Sequence, residues 1–155
     1  MDVSNQTDRH HVTAEQVLAY KSRREALLAA VLDLTEELDA ICAQDTPDPT
    51  RLEHAFVAAQ KAFGQHVGES EADDGLLEQI VSEEPNLFSR VELMRGEHGE
   101  LTAELNDLIV ALEAKRNCEE LLDPARELVK RLDGHRHRAT GLLIDAYMLD
   151  LAAGD

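Results

Sequence analysis

Three histidines occupy positions where helical spacing calls for an aliphatic side chain. In residues 94–112, MRGEHGELTAELNDLIVAL, the positions at steps of three and four are aliphatic except for His98. His66 and His135 interrupt two other stripes of this kind. Burying an imidazole without a partner costs about 1–3 kcal/mol, but several neutral imidazoles can bind one metal ion. A single histidine on an apolar face is more often a core residue than a ligand, whereas three of them on three helices predict a metal site.

Four amphipathic segments must position these rings. The first runs from Thr13, which forms a capping-box pattern with Gln16, to about Ala43. The segment QDTPDPT then turns the chain, and Thr50 with Glu53 forms a second capping box that opens a helix ending in GESEADDG. Both segments carry apolar residues at helical spacing, so each presents one stripe to a common core.

The third and fourth helices follow a short amphipathic piece, LLEQIV. The third extends from about Pro85 to Lys115. Asp123 and Pro124 suit the N-cap and the first position of the fourth helix. Four such helices with short polar connections predict an all-α fold, an antiparallel up-down-up-down four-helix bundle.

The length of 155 residues predicts one domain with a single sizeable core. Residues 1–12 are polar and aperiodic, so we expect a flexible N-terminal lead-in there. The bundle is expected over residues 13–150, and a short C-terminal tail over residues 151–155.

The bundle topology predicts that the three histidines lie near one level. His66, His98 and His135 each follow the start of their helix by roughly 12 to 16 residues, so at 1.5 Å per residue their levels differ by about 6 Å or less. The first helix has no histidine on its inner stripe. At a comparable depth it offers Glu25, a carboxylate ligand, and Arg24, whose positive charge would oppose a bound metal if it pointed inward.

Composition excludes several classes of function. The chain has 32 acidic and 15 basic residues and a formal net charge of -17, which disfavours nucleic acid and anionic membranes as partners. No run of about 18 apolar residues is present, so no membrane span is expected. Two isolated cysteines and an N-terminus without a signal-peptide pattern predict a cytoplasmic protein. The sequence contains no E-x-x-H pair, G-x-S-x-G, P-loop or H-E-x-x-H motif, so we expect no enzyme.

Three segments carry a resemblance to a known family. FGQHVGESE, LMRGEHGELTAEL and LDGHRHRATGLLIDAYMLD resemble the second, third and fourth helices of the hemerythrin-like, or HHE cation-binding, domain, over roughly residues 50–150. The resemblance implies a four-helix bundle that holds two iron ions through histidines and bridging carboxylates. It also implies binding of oxygen or sensing of iron or redox state.

The ligand set that the resemblance implies is incomplete here. The positions one turn beyond the three histidines hold Ser70, Thr102 and Ala139, and the histidine expected in the first helix is missing. A full di-iron centre is therefore not expected.

We predict instead a reduced, mononuclear site of His66, His98 and His135 with Glu25 or Glu69, which binds iron or zinc. A small gas is a candidate ligand of the bound metal. The alternative is a metal-free bundle, descended from metal-binding relatives, that acts as a structural or protein-interaction module.

Overall fold

Four long helices make up most of the chain. The computed structural model describes residues 14–45, 48–72, 75–114 and 117–148. The long helices are α1 (Ala14–Cys42), α2 (Pro49–Glu71), α4 (Phe88–Glu113) and α5 (Cys118–Leu143). A short helix α3 (Leu76–Glu83), a 3-10 turn (Pro85–Leu87) and a π-helical turn (Ile144–Met148) complete the described elements. The predicted lead-in, the cap at Thr13 and the C-terminal tail lie outside the described residues.

The long helices pack in a closed ring. Helix α1 contacts α2 and α5, and α4 contacts the same two helices from the other side. Consecutive long helices are therefore neighbours and run antiparallel, so the predicted all-α, up-down-up-down four-helix bundle is confirmed. No helix in the described parts of the chain is long and apolar enough to cross a membrane.

Two apolar clusters fill the bundle. The larger core takes residues from all four long helices, including Leu34, Phe56, Phe63, Leu105 and Leu132. The smaller core joins α3, the start of α4 and the end of α5, and it includes Leu77, Ile80, Val91, Met94, Ala139 and Leu143. Along α4 and α5 the chain passes from one core to the other through His98 and His135. The histidine positions therefore mark the boundary between the two cores.

The predicted start of the last helix is wrong by several residues. Helix α5 begins at Cys118, where the side chain of Asn117 accepts a hydrogen bond of 3.1 Å from the Glu119 amide. Pro124 lies inside the helix rather than at its first position. The early start lets Cys118 join the larger core, with partly buried leucines from the same turns packed against it. This burial outweighs the backbone hydrogen bond that a proline removes.

The predicted starts of α2 and α4 also need correction. Helix α2 begins at Pro49, and the carboxylate of Asp48 accepts a hydrogen bond of 3.0 Å from the Thr50 amide, so Asp48 is the N-cap rather than Thr50. Proline at the first helical position fits because its missing N–H would have no helical partner there. Pro85 opens the 3-10 turn, and α4 itself begins at Phe88.

The corrected start of α5 can be tested by removing the two competing caps one at a time. We expect Asn117→Ala to lower the free energy of unfolding by about 1 kcal/mol, because a helix amide loses its acceptor. Asp123→Ala, a matched control on the exposed face of the same helix, should change it by less than about 0.5 kcal/mol. Urea denaturation followed by circular dichroism measures both values. The reverse order of the two effects would restore the later helix start.

Candidate metal site

The structure brings the three histidines together in the interior. His66, His98 and His135 are each at most 2% exposed. One ligand nitrogen from each ring lies within 4.8 Å of the other two. The Nε2 atoms of His66 and His135 are 3.1 Å apart, and the ring centroids are separated by 4.9 to 5.3 Å. The prediction that the rings lie near one level is confirmed.

The helical register explains why these side chains converge. Each histidine continues the inward stripe of its helix, with Phe63 one turn before His66 and Leu132 one turn before His135. On α4, His98 stands between Met94 and Leu101, which are both buried. Packing these stripes against one another brings the three polar rings to the same layer, because residues three or four apart share one helix face.

The hydroxyls one turn beyond two of the histidines bind the backbone rather than the rings. Ser70 Oγ donates to the His66 carbonyl at 2.6 Å, and Thr102 Oγ1 donates to the His98 carbonyl at 2.6 Å. This is the usual bond of a hydroxyl to the carbonyl four residues earlier in a helix. The resemblance implied metal ligands at these positions, but these hydroxyls are engaged by their own helices.

One aromatic ring packs against the whole cluster. Phe63 is 1% exposed, and its centroid lies 6.0 Å from those of His66 and His98 and 5.5 Å from that of His135. The contacts with His98 and His135 are edge-to-face, which is a normal arrangement between aromatic rings. Phe63 also excludes water from one side of the cluster, so electrostatic interactions there are stronger than at the surface.

Burial holds the imidazoles in their neutral form. It lowers the pKa of His66 to about 4, with a further lowering from the nearby His98. It lowers the pKa of His135 to about 3, with contributions from His66, His98 and Arg138 in that order. The pKa of His98 is also lowered by burial, although the carboxylate of Glu71 acts in the opposite direction. Neutral imidazole is the form that binds metal ions, so the rings are ready to act as ligands near neutral pH.

Two carboxylates lie beside the cluster that the sequence analysis did not assign to it. Glu71 Oε1 is 3.4 Å from Nδ1 of His98, and Glu97 Oε2 is 3.6 Å from Nδ1 of His135. Glu97 also accepts a hydrogen bond of 2.8 Å from Nε of Arg138. The position of Glu97 next to His98 in the chain did not predict that its carboxylate lies beside the cluster, because neighbouring residues of a helix point in different directions.

The carboxylates that were predicted as ligands are placed differently. The side chain of Glu25 is exposed and that of Glu69 is half-buried, while Arg24 is half-buried. Within the described ranges, the three histidines form a metal-capable group without any carboxylate. A ligand role for Glu25 or Glu69 stays a prediction.

The separations of the ring nitrogens suit one metal ion. In a tetrahedral zinc site with Zn–N distances of about 2.0–2.1 Å, ligand nitrogens lie roughly 3.3–3.4 Å apart. The 3.1 Å between His66 and His135 is close to this value. The widest separation, at most 4.8 Å, would have to close by about 1.5 Å or less to reach it. Rotations about side-chain torsions can supply such a change.

No protein-family model, curated protein or solved structure matches this chain. The resemblance to hemerythrin-like domains therefore stays a prediction from the quoted residues. The fold and the buried cluster of three histidines stand on the structure alone.

The metal-free protein should lose stability on acidification. Below the ordinary pKa of about 6.5, the unfolded chain takes up protons at His66 and His135, while the folded chain does so only near pH 4 and pH 3. The free energy of unfolding should therefore be highest above pH 6.5 and fall as the pH drops, down to about pH 4 for the contribution of His66 and about pH 3 for that of His135. The slope should be up to about 1.4 kcal/mol per pH unit for each histidine. Urea denaturation in the presence of a chelator measures this slope.

The control is a variant with all three histidines changed to leucine. Its stability should depend much less on pH over the same interval, because the remaining described histidines, His54 and His137, are exposed. Equal slopes in the two proteins would show that other groups cause the acid sensitivity.

The same triple-leucine variant should be as stable as the metal-free parent at pH 7, or more stable by about 1–3 kcal/mol. Leucine removes three buried polar rings, and replacing both members of a buried polar pair by apolar groups is often neutral or stabilising. Thermal and urea denaturation with a chelator measure the difference. A loss of more than about 2 kcal/mol would mean that the rings serve the packing of the bundle.

Proposed function

We propose that this chain is a metal-binding or metal-sensing domain in which His66, His98 and His135 hold one transition-metal ion. The observation that carries the proposal is the convergence of three buried ring nitrogens within 4.8 Å. Three ligands from three helices also tie the occupancy of the site to the packing of the bundle. That coupling is what a sensor needs, because binding then stabilises the packed arrangement.

The distribution of buried polar groups supports this function. Among the described residues, the buried polar side chains are the three histidines, which lie in one layer, and Ser70, one turn beyond His66. The other buried side chains are apolar. The desolvation cost of the three rings is therefore concentrated at one level of the described bundle. A cation bound there would offset this cost.

The ligand atoms favour particular metals. Imidazole nitrogens suit zinc and iron, whereas magnesium and calcium prefer oxygen ligands. Three protein ligands leave at least one coordination position, for which Glu25, Glu69 and a small molecule such as a gas are the candidates. When bound, the ion would supply a Lewis acid or, as iron, a redox centre. The three histidines would hold it and Phe63 would exclude water from one side.

The electrostatic environment also favours a cation. The histidines are neutral and add no charge of their own, while Glu71 and Glu97 lie directly behind two of them. The net charge of the chain is -17. A divalent ion would therefore bind beside two carboxylates in a strongly acidic chain, although the Arg138 guanidinium pairs with Glu97 and also lowers the pKa of His135.

The second candidate is a metal-free structural or interaction module, and one contact favours it. At 3.1 Å, Nε2 of one ring can donate a hydrogen bond to Nε2 of the other, so His66 and His135 can satisfy each other without a metal. In this case the cluster is the remnant of a site. Neither candidate needs a catalytic group, and the expectation that the chain is not an enzyme stays a prediction, as does its cytoplasmic location.

Elemental analysis separates the two candidates. Protein without a tag, produced with iron and zinc available and handled with and without oxygen, should contain about one metal ion per chain. Changing His66, His98 and His135 to alanine should reduce this to below about 0.2 ions per chain. The matched control is His54→Ala with His137→Ala, which removes two exposed histidines and should leave the metal content unchanged. Metal contents below about 0.2 per chain in all three proteins would favour the metal-free module.

A further inference from the structure

Two carboxylates face the outer nitrogens of two of the clustered rings. Glu97 Oε2 lies 3.6 Å from His135 Nδ1, and Glu71 Oε1 lies 3.4 Å from His98 Nδ1. The opposite nitrogen of His135, Nε2, points to His66. His135 thus has one nitrogen toward the inside of the cluster and the other toward a carboxylate.

Glu97 is itself held in place. Arg138 reaches it through Nε, 2.8 Å from Oε1 and 3.2 Å from Oε2, and also through Nη2. The side chain of Glu97 is only 13% exposed. Glu97 belongs to α4 and is adjacent to His98 in the chain. Its side chain extends to α5, where it pairs with Arg138, one turn beyond His135. A guanidinium that contacts both oxygens fixes the orientation of a carboxylate as well as its position.

The orientation of the carboxylates matters because a neutral imidazole has two tautomers. A carboxylate accepts hydrogen bonds and cannot donate one when ionised, so it favours the tautomer with its proton on Nδ1. That tautomer leaves the lone pair on Nε2, which is where a metal would bind. At 3.4 and 3.6 Å these contacts are ion-pair contacts rather than formed hydrogen bonds. A shift of about 0.5 Å together with a reorientation of the carboxylate would bring each of them into hydrogen-bond geometry.

We propose that Glu97, held by Arg138, and Glu71 are positioning residues that keep His135 and His98 in the Nδ1–H tautomer, so that both present Nε2 to the metal. The purpose of this arrangement rests on the proposed metal-binding function, but the tautomers themselves do not. The assignment agrees with the 3.1 Å contact between the two Nε2 atoms. If Nε2 of His135 carries the lone pair, His66 is the donor in that contact.

The tautomers can be measured without any metal. Long-range proton–nitrogen NMR of the chelator-treated protein should show His98 and His135 as Nδ1–H tautomers and His66 as the Nε2–H tautomer. Glu97→Gln removes the charge and adds an amide that can donate to Nδ1, so His135 should shift toward the Nε2–H form. Glu71→Gln should do the same for His98. Glu71 is a third exposed at the end of α2, so this second variant tests the proposal even if the first folds poorly.

The matched control is Glu100→Gln, a change of the same charge on the same helix. Glu100 is exposed and pairs with Arg131 rather than with a histidine. It should leave all three tautomers as they are in the parent protein. Unchanged tautomers in both Glu97→Gln and Glu71→Gln would overturn the proposal.

Zinc affinity provides the second measurement. Competition with a chromophoric chelator should show zinc binding weakened about 10–100-fold by Glu97→Gln, and by less than about twofold by Glu100→Gln. Equal zinc affinities in these two variants would overturn the positioning role. If no protein binds zinc or iron while the tautomers still shift as expected, the positioning role stands and the proposed metal-binding function fails. The two proposals can therefore be separated.

Discussion

Three imidazole rings are buried in one layer between two apolar cores, and this arrangement constrains the rest of the bundle. Burial lowers the pKa of His66 and His135 far below the ordinary value, so the layer is polar but uncharged near neutral pH. Apolar side chains above and below cannot satisfy ring nitrogens. The polar partners of the rings are therefore one another, the carboxylates behind them, or a shared cation. Each of these arrangements requires α2, α4 and α5 to keep their relative positions along the bundle axis.

The surroundings of the layer are arranged to keep those positions. Arg138 joins α5 to α4 through Glu97, directly behind the cluster. Further along the same two helices, Arg131 contacts Glu104 on α4. Exposed ion pairs of the second kind add little stability. The Arg138–Glu97 pair is different, because Glu97 is largely buried and also faces His135. This pair therefore links the packing of α4 against α5 to the orientation of the His135 ring.

The two apolar cores and the polar histidine layer have different roles in the bundle. Many functional sites likewise contain groups that reduce local stability but serve function. The larger core, with leucines and phenylalanines from all four long helices, holds the bundle together. The smaller core around α3 packs on the opposite side of the histidine layer, at the start of α4 and the end of α5. The histidine layer between them contributes polar groups that an apolar core does not need, which is the physical reason to interpret it as a binding site. A His66–His135 hydrogen bond lowers the cost of the layer without a ligand, and this is why a metal-free role remains the competing explanation.

The sequence by itself determined the helices, their order and the three inward histidines, because amphipathic spacing depends only on the period of the α-helix. Helix starts were less predictable. The sequence predicted Asp123 as the cap of the last helix, whereas the structure begins this helix at Cys118, whose side chain joins the larger core. Likewise, helical spacing could place His66, His98 and His135 near one level but could not determine which carboxylates stand behind them. Glu97 reaches His135 across a helix interface, and such contacts depend on the heights and rotations of two packed helices, which only the tertiary structure decides.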